Sequence, residues 1–415
     1  MSQVLYTNIK SLYQTYSETN KALRNDDMGH CPHINQAYLL TEGDKIVDFG
    51  SMQDLPEAYK SIEHKEDLTG KMVLPTYVDS HTHLVFAAPR ESEFEDRIHG
   101  LTYEEIALRG GGILNSAKKL SEKSEDELFV DAKQRLLNLV KMGTGAIEIK
   151  SGYGLSYEAE LKILRVAKRL KAENIIPIKS TFLGAHAIPV DYKGNREGYI
   201  KMLLEDVLPV IQKENLAEYI DVFCEKNYFT VEETEQILKA GIEAGLKPKI
   251  HVNQFNAFGG VQAGVKYNAV SVDHLEEMNE ADFKTLRTSN TIATALPSCS
   301  FFLSIPYAPV KEMIKQGLAV SLASDFNPGS TPSGNLSFVY SLACIKQKLT
   351  PQQALNALTV NAAFALEVED THGSITKGKQ ASFMITKPIP SLAYIPYSFG
   401  ENQIEKVVIN GQAIS

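Results

Sequence analysis

Cysteine is scarce: the 415 residues contain four, Cys31, Cys224, Cys299 and Cys344, and no two are spaced as C-x-x-C. That pattern implies neither a disulfide framework nor a cysteine-built structural zinc module, and a reducing compartment, the cytoplasm, is the expected home. Long apolar runs are also missing. Nothing approaches the roughly 20 consecutive apolar residues that cross a bilayer, and Met1 to Lys10 lacks the charged, apolar and small-residue order of a secretion signal. No membrane partner is expected. Basic excess is absent too: Lys and Arg total 42 against 51 Asp and Glu, a formal charge of -9 with both signs interspersed. Nucleic acid and anionic membrane surfaces are therefore poor partners. The chain shows no internal repeat and no low-complexity tract.

What is present is a composition that can bury a large core, with 43% hydrophobic and 22% charged residues. Residues 1–74 are polar and turn-rich, with short strand-like runs at 37–40 and 45–49, and are read as the first part of a small β domain. From residue 75 the texture changes to apolar β runs alternating with helical segments. Eight such runs occur, at 77–79, 146–149, 180–183, 220–223, 249–252, 270–273, 291–294 and 320–323. Helix starts lie between them, where Ser124, Thr230 and Asn279 each precede an acidic residue by three positions (Glu127, Glu233, Asp282). Gly245 and Gly317 are suited to stop helices.

This alternation predicts an α/β fold, a (β/α)8 TIM-type barrel over 75–372, although a large doubly wound sheet gives the same local signals. Residues 373–415 return to β texture, with runs at 382–385 and 407–409 and an Asn410-Gly411 turn pair. The two flanks are expected to pair into one small β-sandwich, with the barrel inserted between its halves.

The most informative stretch is Asp79-Ser80-His81-Thr82-His83, which follows an apolar run. At a strand end, period-two geometry sends both imidazoles to one side, where they can reach a single ion. His186, His251, His274 and Asp325 each sit at or just after the end of a different candidate strand. In a barrel those ends converge on one rim. The other five of the ten histidines, His30, His33, His64, His99 and His372, fall in loops or turns and are expected to face solvent.

His81, His83, His251 and Asp325 supply the imidazoles and carboxylate that a catalytic divalent metal needs. Such an ion lowers the pKa of water to roughly 7. Asp325 is placed to take the water proton, and His274 to polarise a substrate carbonyl or to be a satisfied core histidine.

The stretches HTHLVFAAPR from His81, GGGIL from Gly110, KSGYGL from Lys150, STFLGAHAIP from Ser180, SVDHLE from Ser271 and ASDFNPGSTP from Ala323 carry a resemblance. Together they resemble the amidohydrolase superfamily, and within it the branch that opens the ring of 4-imidazolone-5-propanoate in histidine degradation. The resemblance implies a mononuclear zinc or iron site held by His81, His83, His251 and Asp325. It implies substrate contacts from Arg90, whose planar fork suits a propanoate carboxylate, and from Tyr153, His186, Gln254, Asn327, Gly329 and Ser330. In the last loop an amide, a hydroxyl and free backbone donors would grip the ligand, although an ordinary Asn-Pro-Gly turn fits the same residues.

Two departures from the pattern stand out. Gln254 occupies a position where the family commonly has glutamate, and an amide cannot act as a general base. Pro75-Thr76 replaces the usual Pro-Gly, a change expected to touch only turn geometry. Glu225 and Cys224 lie where a second metal would be held in binuclear relatives; one metal is the favoured reading. Another cyclic amidase or deaminase of the superfamily, or a non-catalytic sensor of a histidine catabolite, are the alternatives. No sequence feature identifies a subunit interface, and a homodimer is compatible with a chain of this size.

Overall fold

The computed structural model describes residues 2–18, 21–101, 105 and 111–414; Gly110, the first residue of the GGGIL stretch, lies outside them. The flanks build one sheet. Its strands are β1 (Gln3–Tyr13), β2 (His33–Glu42), β3 (Lys45–Ser51), β4 (Lys65–Asp67) and β5 (Met72–Pro75). The C-terminal flank adds β14 (Phe383–Thr386), β15 (Ile404–Ile409) and β16 (Gln412–Ile414). The order is β16-β15-β14-β5-β1-β2-β3, with β4 pairing β1, so β5 and β14 join the two ends of the chain. Asn410 and Gly411, at φ 49° and 76°, make the tight turn between β15 and β16. A separate apolar cluster holds this sheet, in which Tyr6 meets Phe383 edge-on at 5.2 Å between ring centroids.

The first strand, β1, is the longest of the flank and is absent from the sequence reading. Its hydrophobic alternation is broken where pairing with β2 shifts register between Tyr6 and Ile9, with Asn8 at φ 54°. A bulge of this kind erases the period-two signal.

Eight parallel strands make the barrel: β6 (Tyr77–Asp79), β7 (Thr144–Lys150), β8 (Ile178–Ala185), β9 (Tyr219–Cys224), β10 (Lys247–Val252), β11 (Ser271–His274), β12 (Ile292–Ala295) and β13 (Val320–Leu322). Each overlaps one of the eight predicted runs. The ring closes just past the ends of β6 and β13, where Asp325 N donates to His81 O at 3.0 Å and His83 N to Phe326 O at 2.8 Å. The same closure that finishes the barrel therefore fixes the H-x-H backbone against the aspartate loop.

The intervening helices begin where the sequence places them. Ser124, Thr230 and Asn279 each accept from the backbone N–H three residues on, and the acidic partner answers the cap backbone. Gly245 and Gly317 follow helix ends at φ 86° and 83°, a conformation that carries little cost only for glycine.

Thr76 is the single residue between β5 and β6, and its effect exceeds turn geometry. A Cβ on Gly145 of β7 would lie 2.0 Å from Thr76 Oγ1, so the threonine occupies space that only a glycine opposite leaves free. His372 also differs from expectation: it is 4% exposed, because Lys379 Nζ donates to its carbonyl and the loop that follows is tied to the flank by Ile375 N to Gln14 O and Gly378 N to Ile46 O.

Candidate metal centre

Period-two geometry along the strands sends Glu148 and Lys150 of β7, Asp221 of β9, Lys249 and His251 of β10, and Asp273 of β11 into the barrel interior, all of them buried. His81 and His83 enter the same space from the loop after β6. Ring centroids lie 4.4 Å apart for His81 and His251, 5.5 Å for His81 and His83, and 5.4 Å for His251 and His274. His81 Nε2 and His83 Nε2 are 3.6 Å and 3.8 Å from Asp325 Oδ1. The structure thus brings together all four residues expected to hold a metal, with His274 beside them.

The far sides of the imidazoles are held by other groups. His81 Nδ1 lies 2.7 Å from Asp273 Oδ2, His251 Nδ1 lies 2.9 Å from Asp221 Oδ2, and His83 Nδ1 is 3.2 Å from the Ser151 carbonyl. Those carboxylates are themselves anchored. Lys150 Nζ sits 2.7 Å from Asp221, 2.8 Å from Glu148 and 3.5 Å from Asp273, while Lys249 Nζ donates to Glu148 Oε2 at 2.5 Å. Burial opposes charge on Lys150, but the three carboxylates outweigh it and push its pKa up. None of these five anchoring residues was assigned this task from the sequence.

The residues fit a divalent cation. His81 Nε2 and both ring nitrogens of His251 are buried with no hydrogen-bond partner among the described residues, His251 Nδ1 having only the ion-pair contact with Asp221, and an unanswered group costs about 1–3 kcal/mol unless something binds there. Burial, helped by Lys150 and the neighbouring imidazoles, holds His81, His83 and His251 well below their ordinary pKa, so they are neutral donors. Charge balances as well. Two lysines face Glu148, Asp221 and Asp273, leaving one net negative charge, and Asp325 adds a second. One ligand atom from each of His81, His83 and Asp325 lies within 4.8 Å of the other two, and the same holds for His81, His251 and His274. The chain has a metal cofactor site.

Four residues around the centre, Asn253, His274, Leu275 and Asp325, have φ between 56° and 88°, a region that side chains other than glycine rarely occupy. Burial raises the Asp325 pKa to about 6, against the pull of His274, Asn327, Cys299 and Ser330. Burial works against charge on His274 also, but Glu276, Asp325 and Asp273 outweigh it and lift its pKa above the ordinary value.

A small cavity of about 50 Å³ opens over this centre, lined by His83, Tyr153, His186, Gln254, Asn327 and Ser330 among others. His186 stacks on His83 at 5.4 Å with an interplanar angle of 9°, and its Nδ1 meets the Gly152 carbonyl at 3.0 Å. Burial lowers its pKa to about 4. Tyr153 packs edge-on against both rings. The Arg90 guanidinium lies 5.6 Å from the Tyr153 ring, Nε donates to Ser116 Oγ at 2.7 Å, and Nη2 is buried without a hydrogen-bond partner among the described residues. A Cβ at Gly329 would lie 2.5 Å from Arg90 Nη1, so glycine there lets the arginine approach the loop.

That loop differs from expectation in one respect. The backbone N–H groups of Gly329 and Ser330 are not free: both donate to Asn327 Oδ1 at 2.8 Å. Asn327 Nδ2 bonds the Asp325 carbonyl and Ser330 Oγ, and Ser330 Oγ donates to Asp325 Oδ2 at 3.2 Å. An asparagine side chain bonded to the backbone two and three residues on is the ordinary turn the sequence also allowed, and here it steadies Asp325. Glu225 is likewise engaged, accepting from the backbone of Phe255 and Asn256 and from the Asn256 side chain, which orients the loop carrying Gln254. Cys224 packs within the core against Gly260.

Residues 72–414 match the model of the amidohydrolase family. The chain is 55% identical over 411 residues to an imidazolonepropionase of Christiangramia forsetii, covering 99% of this chain and 100% of that one. It is 57% identical over 410 residues to one from Flavobacterium johnsoniae, covering 99% of each, and 41% identical over 390 residues to one from Clostridium tetani, covering 94% and 93%. Among solved structures, a triazine hydrolase variant superposes with a TM-score of 0.75 at 15% identity, covering 99% of this chain and 94% of that one. A zinc-bound adenosine deaminase from Xanthomonas campestris gives 0.68 at 13%, covering 99% and 92%. These last two speak for the fold alone. By the length and identity of the first three matches, the chain belongs to the amidohydrolase family and, within it, to the imidazolonepropionases.

Proposed function

We propose that this chain hydrolyses the ring C–N bond of 4-imidazolone-5-propanoate to give N-formimidoyl-L-glutamate, using one zinc or iron ion held by His81, His83, His251 and Asp325. Imidazole and carboxylate donors suit either ion. Bound there, a divalent ion supplies Lewis acidity and lowers the pKa of a water toward roughly 7.

The side chains do the rest. Asp325, steadied by Ser330 and the Asn327 turn, takes a proton from the attacking water and passes it to the departing ring nitrogen, so the ring opens with no net change in the enzyme. His274, whose positive charge Glu276 favours, donates to the oxygen that gains charge at the carbonyl. His186 and Tyr153 enclose the ring. Gln254 donates to Cys299 Sγ at 3.4 Å and presents an amide that orients the ring by hydrogen bonding, leaving proton transfer to Asp325 and His274.

The observation that carries the substrate assignment is Arg90: although its Nη1 lies 4.0 Å from Glu93 Oε2, a buried guanidinium N–H beside Tyr153 has no hydrogen-bond partner among the described residues and suits an anionic ligand group, which the propanoate tail supplies. The test follows loss of imidazolone absorbance beside an aminopurine and a hydantoin. Turnover of the imidazolone alone is expected; preference for either other compound would move the chain to a different substrate.

The cytoplasm is the proposed location. It is supported by four free cysteines and by the absence, among the described residues, of any helix long and apolar enough to cross a membrane.

A further inference from the structure

Behind His274 lies a second group of buried side chains with ligand atoms, outside the four-residue metal centre. Glu276 has a fully buried side chain, with Oε1 3.5 Å from His274 Nδ1 and accepting from Ser300 Oγ at 3.2 Å. Its Oε2 is buried with no hydrogen-bond partner among the described residues. Cys299 has no exposed surface; its Sγ accepts from Gln254 and neighbours Asp325. One ligand atom from each of His274, Glu276 and Cys299 lies within 4.8 Å of the other two.

We propose that His274, Glu276 and Cys299 form a second cation subsite, separate from the four-residue metal centre, which takes a thiophilic divalent ion such as Zn2+ or Cd2+ and stops turnover when filled. An imidazole, a thiolate and a carboxylate are the donor types zinc accepts, and the sulfur disfavours magnesium and calcium. Charge closes: Glu276 and a Cys299 thiolate carry two negative charges against the two positive charges of the ion. Binding is an exchange in which the Cys299 S–H bond and the His274 Nδ1–H bond break, both protons leave to solvent, and a sulfur–metal and a nitrogen–metal bond form, with nothing oxidised or reduced. Glu276 Oε2 gains the partner it lacks.

Filling the subsite disables the centre in two ways. It ties down His274, which faces the reacting carbonyl, and it takes up the Cys299 sulfur to which Gln254 donates, which shifts the amide that orients the ring. Excess zinc would therefore act as an inhibitor through residues of the same cavity that the first ion serves.

The experiment titrates Cd2+ into holoenzyme already carrying one equivalent of its own metal. A thiolate-to-cadmium charge-transfer band saturating at one further equivalent is expected, with initial rate falling about tenfold or more in step with it. In Cys299→Ser the band is expected to vanish, and in Glu276→Gln its midpoint to rise by about tenfold or more; each variant's rate is compared with its own rate before cadmium. Because either variant could misfold, X-ray absorption of the wild-type protein with the second equivalent bound provides an independent readout, with one sulfur in the cadmium shell expected. A sulfur-free shell, a band that persists in Cys299→Ser, or cadmium that only replaces the first ion would overturn the proposal. The inhibition rests on the catalytic reading given above, whereas the band and the sulfur count do not, so failure of one is distinguishable from failure of the other.

Discussion

His81 Nδ1 lies 2.7 Å from Asp273 Oδ2, although the two residues are 192 positions apart. An imidazole nitrogen bonded to a carboxylate carries the proton, which leaves Nε2 as a lone-pair donor pointing toward Asp325. Asp273 is anchored in turn by Ser271 Oγ at 2.6 Å and by Lys150. Asp273→Asn is expected to weaken metal affinity about 10–100-fold while the protein stays folded. Competition with a chromogenic chelator measures this, alongside far-UV circular dichroism; unchanged affinity would refute the orienting role.

Lys150 joins three buried carboxylates, so its removal leaves Lys249, already paired with Glu148, as the one lysine among the described residues set against all three. Lys150→Met is expected to cost about 3–5 kcal/mol in urea unfolding, the range for breaking a buried ion pair from one side. A loss below about 1 kcal/mol, as for an exposed pair, would mean that the carboxylates share protons or relax elsewhere.

Arg90 separates binding from chemistry. Arg90→Ala is expected to raise KM about 10–100-fold with a much smaller change in kcat, since the tail it holds keeps its charge throughout the reaction. Steady-state kinetics on the imidazolone decide it. A fall in kcat with KM unchanged would place Arg90 at the reacting centre.

His372 is expected to report on acid stability. Burial first, then Lys379 and Lys45, hold its pKa down from 6.5 to about 4. Between those values the unfolded chain binds a proton that the folded chain refuses, so the stability is fully present above about 6.5 and falls as pH drops toward 4. The wild-type unfolding free energy should lose up to about 3 kcal/mol across that window from this group. His372→Gln should lose correspondingly less; identical pH slopes would show that His372 does not titrate there.

The sequence made the rim legible and left its support hidden, for identifiable reasons. His81 and His83 are two apart, and His251, His274 and Asp325 end separate apolar runs, so strand counting alone puts them on one rim. Capping boxes at Ser124, Thr230 and Asn279 are local signals that need no tertiary partner. The anchoring of Lys249 by Glu148 spans 101 positions across a closed barrel, and no local pattern marks either residue as the other's partner. The same holds for Lys150 with Asp221. The bulge at Asn8 hid β1, and the Asn327 turn looked like a set of free donors because the pairing of its amide oxygen appears only in three dimensions.

The most direct measurement strips the protein of metal with a chelator, removes the chelator, and follows imidazolone absorbance as zinc or ferrous ion is returned in fractions of an equivalent. Turnover should be absent in the stripped protein and rise linearly to a plateau at one ion per chain. A metal-free protein that opens the ring at the full rate would contradict the account.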